Sequence, residues 1–240
     1  YLTPLDRRLS QLKGLSYFRY ADDLLAFSHD RDTALEAEAI IADSFRELHL
    51  VSKPKHHRNF FFAGNSEQDS HFEPCEKFRH LGLEFRQNGG VGLSLDKARK
   101  IRNQFKFAWK RYGHKLGKLR SPMGRARKAI AVANDLLEHG YRSVAIIDYY
   151  LKHVDDEEQL RQIDRWLAEA VLAIAFGKGH KKGNYKKLSF GKMREMGLPS
   201  LRHRHRQLIH GQLDSSFFTL RTDKLIEQKR RRLPPGYGQS

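Results

Sequence analysis

The sequence predicts an α+β fold, and three observations carry that expectation. Up to Leu95, short apolar runs with period-two alternation dominate; from Asp96 onward the apolar positions recur with helical spacing. Charge changes at the same place. Up to Leu95 there are 12 Lys/Arg against 14 Asp/Glu, whereas Lys97 to Lys128 holds 13 Lys/Arg and no acid. The length, 240 residues, is enough to bury a full core and predicts two domains and a tail, 1–95, 96–212 and 213–240.

Taken in order, Leu5, Leu9 and Leu12 have the spacing of one helical face, and Gly14 is a good stop. Leu15, Tyr17 and Arg19, then Leu24 and Ala26, alternate as two strands with one covered face. Between them stand Asp22 and Asp23. Adjacent carboxylates repel and resist burial, so a tight turn that pushes both out at its tip suits them. A divalent cation answers that geometry, since Mg²⁺ takes hard oxygen ligands from one or two carboxylates plus substrate phosphates.

Ser28 to Asp32 reads as a break, and Thr33 with Glu36 as a capping box. Leu35, Ile40, Ile41, Phe45 and Leu48 then lie on one face of a helix that packs on the sheet. Asn59 to Ala63 predicts a buried strand and Gly64 to Glu76 a polar loop. Phe78 to Phe85 and Val91 to Leu95 flank Asn88-Gly89-Gly90, a hairpin turn.

Asp96 is the predicted cap of the first helix in the second part, with Ile101, Phe105, Ala108 and Tyr112 on one face. Trp109 and Tyr112 read first as core at this spacing and second as rings for stacking on sugar or base. Gly113, Gly117 and Ser121-Pro122 mark a linker. Helices are predicted from Met123 to Glu138, Arg142 to His153 and Glu157 to Phe176, the last striped by Leu160, Ile163, Trp166, Leu167, Val171 and Ile174. Gly177 to Lys187 reads as a glycine- and lysine-rich loop, without the Gly-Lys-Ser/Thr ending of a P-loop. Arg202 to Arg206 opens a basic helix, and Lys229 to Arg232 belongs to a basic tail.

Several classes are excluded. One cysteine, Cys75, allows no internal disulfide and points to a reducing compartment. No apolar run reaches membrane-span length and no signal-peptide pattern opens the chain. The histidines lack paired ligand spacing, which argues against structural zinc. The formal net charge of +17, concentrated in the second part, instead predicts a polyanion partner. The candidate contacts are Lys97, Arg99, Lys100, Arg102, Lys106, Lys110, Arg111, Lys115, Lys118, Arg120, Arg125, Arg127 and Lys128.

The string Arg19-Tyr20-Ala21-Asp22-Asp23, with the apolar run to Phe27, resembles the catalytic hairpin of reverse transcriptases. It is most similar to the group II intron-like branch and its bacterial retroelement and defence-associated relatives. Tyr1 to Leu9 resembles the end of the preceding template-contacting helix, and Phe78 to Phe85 the primer-grip hairpin, with His80 where a larger hydrophobe is common. The likeness covers about residues 1 to 95 well and 96 to 210 loosely.

The resemblance implies the C-terminal part of a polymerase palm, an antiparallel sheet with a packed helix, followed by an all-α thumb-like bundle. It implies an RNA-directed DNA polymerase that adds dNTPs to a primer 3′ end with two Mg²⁺, or Mn²⁺ in their place. Asp22 and Asp23 would be catalytic metal ligands. Lys55, with Lys53 second, would protonate the pyrophosphate leaving group. Tyr20, Ala21, His80, Leu81 and Gly82 would contact primer or nucleotide. The other catalytic aspartate has no counterpart among these residues, Asp6 included. It is therefore expected upstream with the fingers or in a partner chain, and the opening at Tyr1 reads as the middle of a longer polymerase. Implied partners are an RNA template, an RNA/DNA hybrid, dNTPs and a structured RNA or ribonucleoprotein in a bacterial-type cytoplasm, with no membrane. The alternative class is a non-catalytic, palm-like RNA- or DNA-binding subunit.

Overall fold

The computed structural model describes residues 2–52, 58–62, 71–140, 142–177 and 181–213. These residues are α+β and form two compact units. One holds residues 2–61 with 71–73; the other holds residue 62 with 74–213.

In the first unit, α1 (Thr3–Gln11) leads into the hairpin of β1 (Leu15–Tyr20) and β2 (Asp23–Ser28), and α2 (Arg31–Glu47) returns across it. The register pairs Leu15 with Ser28, Tyr17 with Ala26 and Arg19 with Leu24 on one face. Ser16 with Phe27, Phe18 with Leu25 and Tyr20 with Asp23 fall on the other. The first face is covered, as the alternation predicts: Leu15, Tyr17 and Leu24 pack around the buried Leu5, Leu9 and Ala37, with Ile40, Ile41 and Phe45 of α2. The second face is open, leaving Phe18 57% and Tyr20 66% exposed. The cap of α2 differs from the predicted box. Asp30 is the cap, accepting from the Thr33 N–H at 2.8 Å and the Thr33 hydroxyl at 2.7 Å, so Thr33 already belongs to the helix.

A small two-stranded piece follows, β3 (Phe60–Phe62) with β4 (Glu73–Cys75). Two expectations are corrected here. The strand at Phe60 to Phe62 is not buried, Phe60 and Phe62 both being exposed, and part of the expected loop at Glu73 to Cys75 is strand.

The second unit opens with a three-stranded antiparallel sheet, β5 (Lys77–His80), β6 (Leu83–Arg86) and β7 (Val91–Leu93), in that order. The helices after it are α3 (Leu95–Arg111), α4 (Gly113–Gly117), α5 (Pro122–His139), α6 (Arg142–His153), α7 (Glu157–Phe176), α8 (Lys181–Lys187), α9 (Phe190–Glu195) and α10 (Leu201–Ile209). Ile101, Phe105, Ile130, Ile147, Leu151, Leu160, Ile163 and Leu167 lie at the centre of its core.

The sheet shares this core through Leu83 and Leu93, so the boundary between compact units precedes the sheet instead of following residue 95. The cause is the start of α7, which closes the edge of β7. Gln159 accepts the Leu93 N–H at 2.7 Å and donates to the Leu93 carbonyl at 2.8 Å. Asp155 accepts the Val91 N–H at 2.8 Å, and Arg86 pairs with Asp156 at 2.7 Å.

Other boundaries shift for local reasons. Ser94, not Asp96, precedes α3, and its hydroxyl stands within hydrogen-bond distance of two alternative acceptors, the Gly82 carbonyl and the Asp96 carboxylate, without capping the helix. Part of the expected linker is the short α4. The expected loop before Lys187 contains α8, whose buried Asn184 donates to the Gly177 carbonyl at 3.0 Å. The 214–240 part of the tail lies outside the described residues.

Candidate functional site

The Asp22–Asp23 hairpin turns on two residues, Ala21 and Asp22, between the paired Tyr20 and Asp23. Ala21 has φ 56°, a left-handed conformation costly for a residue with a Cβ. A positive φ at the first turn residue alone is the sign pattern of a type II′ hairpin turn, which matches the twist of the flanking strands. The side chain of Asp22 therefore sits at the apex, while Asp23 shares the open face with Tyr20 and Phe18. Both carboxylates are exposed, and neither has a hydrogen-bonding or ion-pairing partner among the described residues.

The turn is propped from beneath. Arg19 donates to Asp6 from Nε at 2.8 Å and Nη2 at 2.6 Å, and from Nη1 to the Ala21 carbonyl at 3.1 Å. Tyr17 donates its hydroxyl to the same Asp6 at 2.9 Å. The Arg19 guanidinium holds the Asp6 carboxyl below its ordinary range despite partial burial. Burial, and then the Asp6 carboxylate, pushes the Tyr17 phenol up to about 12. Asp6 is thus committed to positioning the hairpin. Sequence reading missed this clamp, although one signal was present: a cation on the covered side of a strand needs an acid, and α1 offers Asp6.

Asp22 and Asp23 offer the oxygen donors that Mg²⁺ or Mn²⁺ takes, with no competing cation on either. Among the described residues no group of three or more His, Cys, Asp or Glu gathers to hold a metal ion. The pair fits one side of a divalent-ion site whose remaining oxygens come from elsewhere. Lys55 and Lys53 lie outside the described residues.

The second unit places the predicted turn Leu81–Gly82 between β5 and β6, with φ 49° and 85°. His80 pairs with Leu83 across it. A Cβ on Gly82 would meet the side-chain carbons of Lys97 and the Tyr150 hydroxyl, so the close approach that glycine permits here is to this chain itself.

The cations separate into two sets. Arg125 donates to the Ala175 carbonyl from Nε at 3.1 Å and Nη2 at 2.7 Å, and from Nη1 to the Leu119 carbonyl at 2.9 Å, capping the end of α7. Lys97 packs its stem on Gly82. Arg102 and Lys106 lie over the Trp166 ring, and Lys115 and Lys128 over Tyr112. Trp109 is core, its indole donating to the Ala129 carbonyl at 2.9 Å. Arg99, Lys100, Lys110, Arg111, Lys118, Arg120 and Arg127 are exposed and have no acidic partner among the described residues.

The basic helix α10 is different in kind. Arg202 and Arg206 pair with Glu157, Arg204 grips Asp148 at 2.6 and 2.9 Å, and the buried His205 contacts the Leu151 carbonyl. Its N-terminus is held by Asp164, which accepts from the Ser200 hydroxyl and the Leu201 N–H. Burial pushes that carboxyl up from its ordinary range. No described helix is long and apolar enough to cross a membrane. No protein-family model, curated protein or solved structure matches the chain.

Proposed function

We propose that this chain is the palm-and-thumb part of an RNA-templated DNA polymerase of the reverse transcriptase type. It adds dNTPs to a primer 3′ end, with the fingers and a further catalytic aspartate contributed upstream or by a partner chain. The observation that carries the reading is the pair of adjacent, unpaired carboxylates at the apex of a hairpin whose turn carbonyl is fixed by Arg19. Solvated turn acids need no such support; acids that must meet a reacting phosphate within a fraction of an ångström do.

In this reading Asp22 and Asp23 hold divalent cations. The ions, when bound, offset charge on the reacting phosphates and favour the primer alkoxide. Tyr20, on the open face beside Asp23, presents its ring to the primer end or incoming nucleotide. The turn at Leu81–Gly82 serves the primer strand, and the free cations of the helical unit take phosphates. Lys55, or Lys53, is the acid for pyrophosphate. The natural partners are an RNA template, its DNA hybrid and a ribonucleoprotein of a bacterial retroelement or defence system.

The test is primer extension on an RNA template by the native protein and by Asp22→Asn, with hybrid affinity measured in parallel. Incorporation is expected to fall to background in the variant while affinity stays within about twofold, because a hairpin apex carries little of the phosphate contact. Normal extension by Asp22→Asn would overturn the assignment. A native protein that binds hybrid but incorporates nothing would favour the non-catalytic binding subunit instead.

A further inference from the structure

Tyr150 carries a hydroxyl that the fold leaves without a partner. Ile147, Tyr150 and Leu151 recur at the spacing of one helical face and lie on the buried side of α6. Tyr150 is only 8% exposed, and its ring meets that of Tyr149 edge to face at 5.2 Å. The phenol is therefore fixed in place. A buried tyrosine ordinarily gives its hydroxyl a hydrogen-bond partner, yet this one bonds no other group among the described residues. Arg102 Nε is the one fully sealed side-chain polar atom without a partner among those residues, so the Tyr150 oxygen still reaches the surface.

That oxygen lies at the Leu81–Gly82 turn. It stands 2.9 Å from where a Cβ on Gly82 would be, with Lys97 Cε 2.4 Å from the same point. Its neighbours are already engaged. The Gly82 carbonyl accepts the Ser94 N–H at 3.2 Å, and the Lys97 ammonium stands 3.5 Å from the Asp96 carboxylate. The phenol thus faces outward beside a cation that has its anion. A phosphate is held best where an unpaired cation assists the donor; an uncharged hydroxyl needs no such help. A phenol can both donate and accept, and so can a ribose 2′-hydroxyl.

We propose that Tyr150 is a specificity-determining residue at this turn: its hydroxyl bonds the 2′-hydroxyl of a ribose in the strand lying there, so that an RNA primer is held in preference to a DNA primer. The proposal rests on the polymerase reading in bringing a primer strand to Leu81–Gly82. Deoxyribose offers the phenol no partner, and the hydroxyl then stays with water, so the discrimination is that of one uncharged hydrogen bond. A sugar contact is common to all four nucleotides, and base sequence is not read here.

The test uses the full chain and compares primers on one RNA template. All are deoxyribose except for a single ribonucleotide, moved position by position toward the 3′ end, and affinity is read by anisotropy. The native protein is expected to bind about fivefold more tightly when the ribonucleotide occupies one particular position, the scale of a hydrogen bond between neutral groups. Tyr150→Phe, which removes one oxygen and keeps the ring, should bind the all-deoxyribose primer as the parent does and lose the preference. Its melting temperature should not fall, since the hydroxyl has no partner within the described residues to lose; a fall would put that partner inside the chain and overturn the proposal. Equal affinity of the native protein for every primer would overturn it, as would a preference that survives in Tyr150→Phe. A variant weakened equally on all primers would point to a phosphate contact and overturn it too. Failure of the polymerase reading is separate. A native protein that incorporates nothing, yet shows a Tyr150-dependent ribose preference, loses that reading and keeps this contact. Intact primer extension with no preference does the reverse.

Discussion

Arg19 and Asp6 form a two-point pair, with Nε 2.8 Å and Nη2 2.6 Å from the two carboxylate oxygens, and the remaining guanidinium nitrogen holds the Ala21 carbonyl. The flat guanidinium fork makes three fixed bonds at once, which an ammonium cannot do. This links α1 to the apex of the hairpin. The geometry of Asp22 and Asp23 therefore depends on a helix that carries neither of them.

Arg19→Lys should keep the charge but lose the carbonyl prop, and Asp6→Asn should weaken the pair from the other side. Both side chains are about 30% exposed, so solvent screening keeps the expected loss of stability small. The loss of primer extension should be larger, about a hundredfold, because displacement of the carboxylates by a fraction of an ångström is what changes. The double variant should cost little more than either single one, as expected for residues acting as one unit. Additive losses in a double-mutant cycle would show that the two act separately.

The Gln159 amide serves the edge of β7 as a strand would, satisfying the N–H and the carbonyl of Leu93, a residue 1% exposed. Gln159→Ala leaves both groups unpaired next to the core. Each unmet buried group costs about 1–3 kcal/mol, so a denaturation midpoint shift equivalent to about 2–4 kcal/mol is expected. Amide exchange at Leu93 should accelerate more than at Ile163, inside α7. Equal acceleration at both would mean that the whole unit, and not the strand edge, had loosened.

What the sequence made legible follows the range of the interactions. The hairpin could be read because alternation is local: Leu15, Tyr17 and Leu24 meet the core in register. α7 could be read because Leu160, Ile163, Leu167 and Val171 repeat on one face of a 20-residue helix. The cap of α2 was misplaced by three residues because Asp30 and Thr33 are both good caps, and only the geometry chooses. α8 was hidden by its lysines and glycine. It is held by tertiary contacts, the buried Asn184 and the adjacent Leu188, which composition does not reveal. The Arg19–Asp6 clamp spans 13 positions and the Gln159 amide reaches back 66. Neither separation leaves a periodic trace. The exposed position of the acidic pair at a tight turn was readable, but its support was not.

The pairing of Glu157 with Arg206 and Arg202 makes the seat of α10 on α7 dependent on pH. The two guanidiniums, Arg206 first and Arg202 second, hold the Glu157 carboxyl down to about 2, from an ordinary value of 4.5. A carboxyl whose folded value lies below its unfolded value contributes stability above the unfolded value and loses it as pH falls toward the folded one. The contribution should therefore be fully present above about pH 4.5, decline between there and about pH 2, and be absent below. Other carboxyls held low, Asp6 and Asp156 among them, titrate in the same range. They are common to both proteins in a comparison of the parent with Glu157→Gln and cancel in the difference. Urea midpoints measured at steps from about pH 6 to pH 2 should show the parent ahead at the upper end and the curves converging at the lower. Because the pair is exposed, the gap should also narrow at high salt. Curves that stay parallel across the whole range would show that the Glu157 pairs do not make the seat of α10 depend on pH.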